Sequence, residues 1–199
     1  MNEAKKRNES FQNRDNIVSI EILNATNLAN YKTESIENTL LFGPLYHLTE
    51  ETEIKKYIKE IHRVLKRGGL VFASFIPQVC GIKSILERSI ASPEQVDAHS
   101  FLKVVEEGVF NNLTNTGFQE VKYLNPDWIH NLFSQQGFIN LEMRSIRGIG
   151  YGMEEDVLKL EKERPAYFCK VMEILHQTAD LKAIIETSGH AIIVAKKEE

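Results

Sequence analysis

The stretch from Ser35 to Ile76 constrains the fold of this chain more than any other. It opens with a strand-like run, Ile36-Glu37-Asn38-Thr39-Leu40-Leu41-Phe42, and breaks at Gly43-Pro44. After the turn through His47, Thr49 is the expected N-cap of a helix, with Glu50, Glu51 and Glu53 where the positive helix end favours acids. Ile54, Tyr57, Ile58, Ile61 and Leu65 recur at helical spacing. Lys66 and Arg67 suit a last turn, and Gly68-Gly69 is expected to stop the helix in a left-handed cap. The next run, Leu70 to Ile76, is apolar on both faces, as a buried parallel strand would be. Strand, helix and strand of this kind form a right-handed crossover unit. Ligands of such sheets sit beyond the carboxyl ends of the strands, which puts the Gly43–His47 turn at the active edge.

The elements around this unit fit the same plan. Asn2 to Asn13 is polar and helix-compatible, Asp15-Asn16 mark a turn, and Ile17–Leu23 alternates like a strand. Beyond Ile76 a helical insertion at about 77–117 is expected, with helices at Ile82–Ile90 and Pro93–Glu107 and a connection from Gly108 to Gly117. Phe118–Leu124 reads as a short extended segment. Asn125-Pro126-Asp127 is a strong helix start, with N-cap, proline at the first helical position and an early acid. Gly137 ends that helix, Phe138–Ile146 alternates as a strand, Pro165 divides helical material that begins at Glu154, and His190–Lys196 is a final strand. The order predicts one α/β domain over residues 1–199. Its sheet is mostly parallel with an antiparallel C-terminal strand pair, and helices cover both faces.

Composition narrows the class. A net charge of −4 and dispersed Lys and Arg give no stripe for nucleic acid. No apolar run reaches the about 20 residues of a membrane span, and the first residues lack the apolar core of a signal peptide. Cys80 and Cys169 form no C-x-x-C pair, consistent with reduced thiols and a cytoplasmic location. The six histidines show no metal-ligand spacing, so no metal is expected, and oligomeric state is not legible.

Several segments, taken in order, resemble the class I S-adenosylmethionine-dependent methyltransferases. They are Asn24-Ala25, Leu40-Leu41-Phe42-Gly43-Pro44-Leu45-Tyr46-His47-Leu48, Arg63-Val64-Leu65-Lys66-Arg67-Gly68-Gly69, Asn125-Pro126-Asp127-Trp128 with Gly137-Phe138, and Ser188-Gly189-His190. Arg67 stands where the family usually has proline. The resemblance implies a partial Rossmann-like methyltransferase sheet, S-adenosylmethionine as cofactor and a small-molecule methyl acceptor. It places Asn24 and Ala25 beside the adenine and Phe42, Gly43 and Pro44 against the methionine moiety. Tyr46 and His47 then lie over the methyl donor. The family's glycine-rich G-x-G-x-G turn, and the strand ending in a ribose-binding acid, have no counterpart before Ile17. The chain thus reads as an N-terminally truncated member, with weak cofactor binding expected.

Each assignment has a plainer alternative. Asn24 is also a common turn residue, and the alternative for Gly43 is that it serves the turn alone. Imidazole suits proton transfer at neutral pH, so His47 is a candidate base, but the plainer reading, that it caps the turn and packs, is preferred. Gly148-Ile149-Gly150-Tyr151-Gly152 reads G-x-G-x-G, yet Glu154, Glu155 and Asp156 would repel an anion there, and a loop over the substrate side is preferred. Three functions remain: a methyltransferase, a catalytically silent domain of the same fold, and a nucleotide-binding oxidoreductase. The third lacks a dinucleotide fingerprint after its first strand. One structural expectation follows from the missing elements. Ile17–Leu23 should pair directly with Ile36–Phe42, in parallel, completing a five-stranded sheet.

Overall fold

The structure, a computed structural model, describes residues 17–113 and 120–199. The expected helix before Asn13, the turn at Asp15-Asn16 and the stretch 114–119 lie outside the described residues.

Four strands form the main sheet, in the order β1 (Ile36–Leu41), β2 (Leu65–Phe75), β6 (Ala191–Lys197) and β5 (Phe138–Ser145). β1 runs parallel to β2, while β6 is antiparallel to both β2 and β5. β1, β2 and β5 therefore point one way and β6 lies reversed between two of them, with the antiparallel pair at one edge as expected. Registers fix which ends meet. Ala191 opens β6 opposite both Phe75 and Ser145, and Leu41 pairs with Ala73. The carboxyl ends of three strands and the amino end of the fourth thus share one rim.

Helix α1 (Glu51–Val64) buries Ile54, Tyr57, Ile58, Ile61 and Val64, the stripe its spacing implies. The first four pack into one core with Val71, Ala73, Phe75, Ile193 and Ala195 of the sheet and with Ile129, Leu132 and Phe133 of α4 (Pro126–Gln135). Asn125 caps α4, its Oδ1 accepting from the backbone N–H groups of Asp127 and Trp128 at 2.9 and 3.1 Å. The opposite sheet face is less closed. Leu70, Phe72, Ile192 and Val194 are half-buried and Leu40 is 67% exposed, so β2 is not buried equally on both sides.

The segment after Phe75 holds α2 (Gln78–Ala91), α3 (Ala98–Glu107) and a hairpin of β3 (Val109–Asn111) with β4 (Glu120–Lys122). It carries its own small core of Ile85, Val96, Val104, Phe110 and Tyr123. The hairpin replaces an irregular connection in the sequence reading, because Asn111 and Glu120 can close a ladder despite weak strand propensity nearby. Beyond β5 come α5 (Glu154–Glu163), α6 (Pro165–Thr178) and the short α7 (Lys182–Thr187). Pro165 divides α5 from α6, as its missing N–H requires. No helix among the described residues is long and apolar enough to cross a membrane.

Three expectations need correction. Ile17–Leu23 forms no strand: Val18 is 99% and Ile22 78% exposed, and β1 pairs only with β2 among the described residues. The insertion therefore follows the second strand of the sheet, not a third. The chain from Leu28 to Ser35 binds α1 instead of bridging to the β1 edge. Arg63 donates to the carbonyls of Leu28 and Tyr31 at 2.9 Å, Glu60 accepts from the Leu28 N–H, and Ser35 N–H donates to Val64 O. The helix boundaries also shift. Glu50, not Thr49, is the N-cap, and α1 ends at Val64, so Lys66 and Arg67 lie on β2. Pairing of Leu65 with Ile36 draws the chain out of the helix early, while Gly68 keeps the left-handed geometry, φ +71°, inside the irregular start of β2.

Candidate functional site

The turn after β1 is built by Gly43 and Pro44. Gly43 adopts φ +146°, which L side chains rarely take, and Pro44 opens a 3-10 turn through Tyr46. Tyr46 N–H donates to Gly43 O and His47 N–H to Pro44 O, at 3.2 and 3.0 Å. Leu45 is fully buried and anchors the turn. The flanking groups face outward, with Phe42 59% exposed, His47 exposed and Tyr46 half-buried. A Cβ on Gly43 would meet nothing nearer than Tyr46 Oη at 4.0 Å, so the space over this turn is open.

His190, the residue before β6, enters from the other side of the rim. Its ring meets the Tyr46 ring edge-on at 5.5 Å, and the Tyr46 ring meets that of His47 at 4.8 Å. Backbone bonds hold this corner: Ile146 N–H donates to His190 O at 2.8 Å, and Gly189 N–H donates to the buried Cys80 Sγ at 3.2 Å. Burial, with Arg147 adding to it, holds the His190 imidazole below its ordinary value of 6.5. At neutral pH it is therefore uncharged and able to accept a proton.

Arg147 walls the corner. Its guanidinium lies 4.5 Å over the Tyr151 ring and pairs with Glu154. A Cβ on Gly189, where φ is +72°, would come 2.8 Å from Arg147 Cδ and 3.1 Å from the Tyr151 ring, so only glycine lets these side chains cross there. Burial, then the Cys80 sulfur, raises the Tyr151 hydroxyl above its usual range.

The structure thus brings Phe42, Gly43, Pro44, Tyr46 and His47 together on one turn. Asn24 and Ala25 sit on a separate loop. Asn24 Oδ1 accepts from the N–H and Oγ1 of Thr26, both at 2.9 Å, which engages both of its lone pairs, and Ala25 packs against the main core. The 148–152 glycine loop serves its own fold. Ser145 Oγ accepts from Gly148 N–H at 2.8 Å and Glu154 Oε2 from Gly152 N–H at 3.0 Å, so an internal carboxylate already holds a loop amide. Sequence reasoning missed His190, Arg147, Tyr151 and Cys80. Metal-ligand spacing was the wrong filter for His190; its place at the start of a strand reversed in the sheet was the usable signal. Among the described residues no group of three or more His, Cys, Asp or Glu is placed to hold a metal ion.

Comparison with known proteins supplies a frame. Residues 1–73 match the methyltransferase domain family. No curated protein sequence matches the chain. Among solved structures, an inferred S-adenosylmethionine-dependent methyltransferase from Listeria monocytogenes superposes with a TM-score of 0.61 at 13% identity, covering 100% of this chain and 75% of that one. A protein from Pyrococcus horikoshii gives 0.58 at 12% identity, covering 99% and 66%. An S-adenosylmethionine-dependent methyltransferase from Methanosarcina mazei gives 0.55 at 17% identity, covering 89% and 66%. The chain spans 66% of the length of each of the last two, and at these identities the likeness is one of fold.

Proposed function

We propose that this chain, which has the fold of the class I S-adenosylmethionine-dependent methyltransferases, serves methyl transfer from S-adenosylmethionine to a small-molecule acceptor at the rim between Gly43 and His190. The observation that carries the reading is the meeting of Tyr46 with His190 beside the open Gly43 turn, at the carboxyl ends of β1 and β2. The cofactor, when bound, supplies an electrophilic methyl on a sulfonium. Residues of the turn fit its methionine end: Gly43 leaves its backbone uncovered and Phe42 offers an exposed apolar ring. Pro44 fixes the turn between them. Asn24 could contribute at the adenine only through its Nδ2 donors, because its carbonyl oxygen is engaged by Thr26.

Transfer to an amine or hydroxyl needs alignment above all, plus a destination for a proton. The uncharged His190 imidazole is that destination, and Tyr46, edge-on to it, keeps its ring plane fixed. His47, exposed on the same turn, is the second candidate base.

Titration of the 15N-labelled 199-residue chain with S-adenosylhomocysteine tests the reading. Saturable shifts of the Phe42 and Gly43 amides are expected. Shifts absent from this turn at millimolar ligand overturn it.

A further inference from the structure

A second concavity lies against the far side of Arg147. The loop 145–150, α5 and α6 enclose a cavity of about 500 Å³, lined on its apolar side by Ile146, Val157, Phe168, Met172 and Leu175. Small-molecule sites fall in the range of about 300–1,000 Å³ and are mostly apolar with a few polar groups. Neither α5 nor α6 contains a buried residue, although both carry apolar side chains. Short helices are held mainly by burial of an apolar face, so this hairpin gains little from the chain alone. Val157 and Leu158 of α5 and Phe168, Met172 and Leu175 of α6 face the cavity.

The polar part of the wall is unequal in charge. Arg144 and Arg147 both line it, against the single carboxylate of Glu154. Arg144 also takes Glu142 at 2.8 Å and donates to the His176 carbonyl at 2.9 Å, which fixes its fork at the mouth. Arg147 pairs with Glu154, so Arg144 is the cation whose partner, Glu142, is not part of the lining. The geometry points to a binding site for an apolar, ring-bearing organic anion, with its rings against Phe168, Met172 and Leu175 and its acid group at Arg144. The site stands on its own lining. Its use as the seat of the methyl acceptor rests on the function proposed above, with Arg147 the side chain common to the cavity wall and the His190 corner.

The probe is 8-anilinonaphthalene-1-sulfonate, compared with neutral N-phenyl-1-naphthylamine, which has the same rings without the acid. In the full chain with 13C-methyl methionine, the sulfonate should shift the Met172 methyl saturably. It should bind at least tenfold tighter than the neutral amine. Leu175→Trp should abolish binding of both probes with an unchanged circular dichroism spectrum, and Arg144→Gln should bring the two affinities together. A Met172 methyl that does not respond in the wild-type chain overturns the site, whether or not the variants fold. Equal affinities for the two probes overturn the anion assignment. Because neither measurement uses cofactor, a positive result here beside a failed S-adenosylhomocysteine titration would leave the cavity standing and remove the methyltransferase reading.

Discussion

His190 meets Tyr46 edge-on, with ring centroids 5.5 Å apart, although one residue precedes the last strand and the other follows the first. The contact exists because β6 runs against its neighbours, which returns its amino end to the rim where β1 and β2 finish. It places an uncharged imidazole beside the only turn of the strand–helix–strand unit that lies at that rim.

The state of that imidazole is open to measurement. Burial first, then Arg147, depresses the His190 value below 6.5, and burial followed by Lys197 does the same for His62. A histidine with a depressed folded value binds more protons when unfolded. Its contribution is fully present above 6.5 and is lost as pH falls from there through the folded value. Urea unfolding between about pH 7.5 and about pH 5 should therefore show stability falling with pH. His190→Gln should flatten part of that slope, and His62→Gln with His190→Gln should flatten more. Identical slopes in wild type and His190→Gln would show that the ring is not held neutral.

Gly43 gives a prediction that separates backbone from space. A Cβ there meets nothing nearer than 4.0 Å, so Gly43→Ala and Gly43→Val are penalised by φ +146° and not by a clash. The expected loss is about 1–3 kcal/mol, larger for the β-branched valine, read as a lower urea midpoint at unchanged slope. S-adenosylhomocysteine shifts at Phe42 should vanish in the folded Gly43→Val chain. Unaltered shifts would make Gly43 a turn residue only.

Much of this was legible in the sequence, for identifiable reasons. The α1 stripe, the Asn125 cap and the breaks at Gly43, Gly137 and Pro165 are local signals, set by residues within a turn of one another. The Ile17–Leu23 alternation misled because period two records amphipathicity without naming a partner, and Arg63 with Glu60 ties the following loop to α1. The Tyr46, Phe42 and Gly43 cluster was readable as one turn. The His190 and Arg147 half was not, since it depends on side chains crossing over Gly189, which no local pattern records. Asn24 looked like a ligand contact, but a short polar side chain finds its own backbone first, as its bonds to Thr26 show.

The outer side of β1 carries the remaining prediction. Among the described residues its ladder partners all belong to β2, and Leu40 and Phe42 are 67% and 59% exposed. An apolar strand edge of this kind is a template for pairing with other chains, and a lysine on it opposes that pairing. Leu40→Lys should slow concentration-dependent light scattering at pH 7 while changing unfolding stability by no more than about 0.5 kcal/mol, because the side chain is already in water. Leu41→Lys is the contrast. That side chain is 4% exposed in the main core, and a lysine there should cost several kcal/mol or prevent folding, since a buried unpaired charge is not tolerated. Scattering by Leu40→Lys at the wild-type rate would remove the β1 edge as the route of self-association and turn attention to the apolar side chains of α5 and α6.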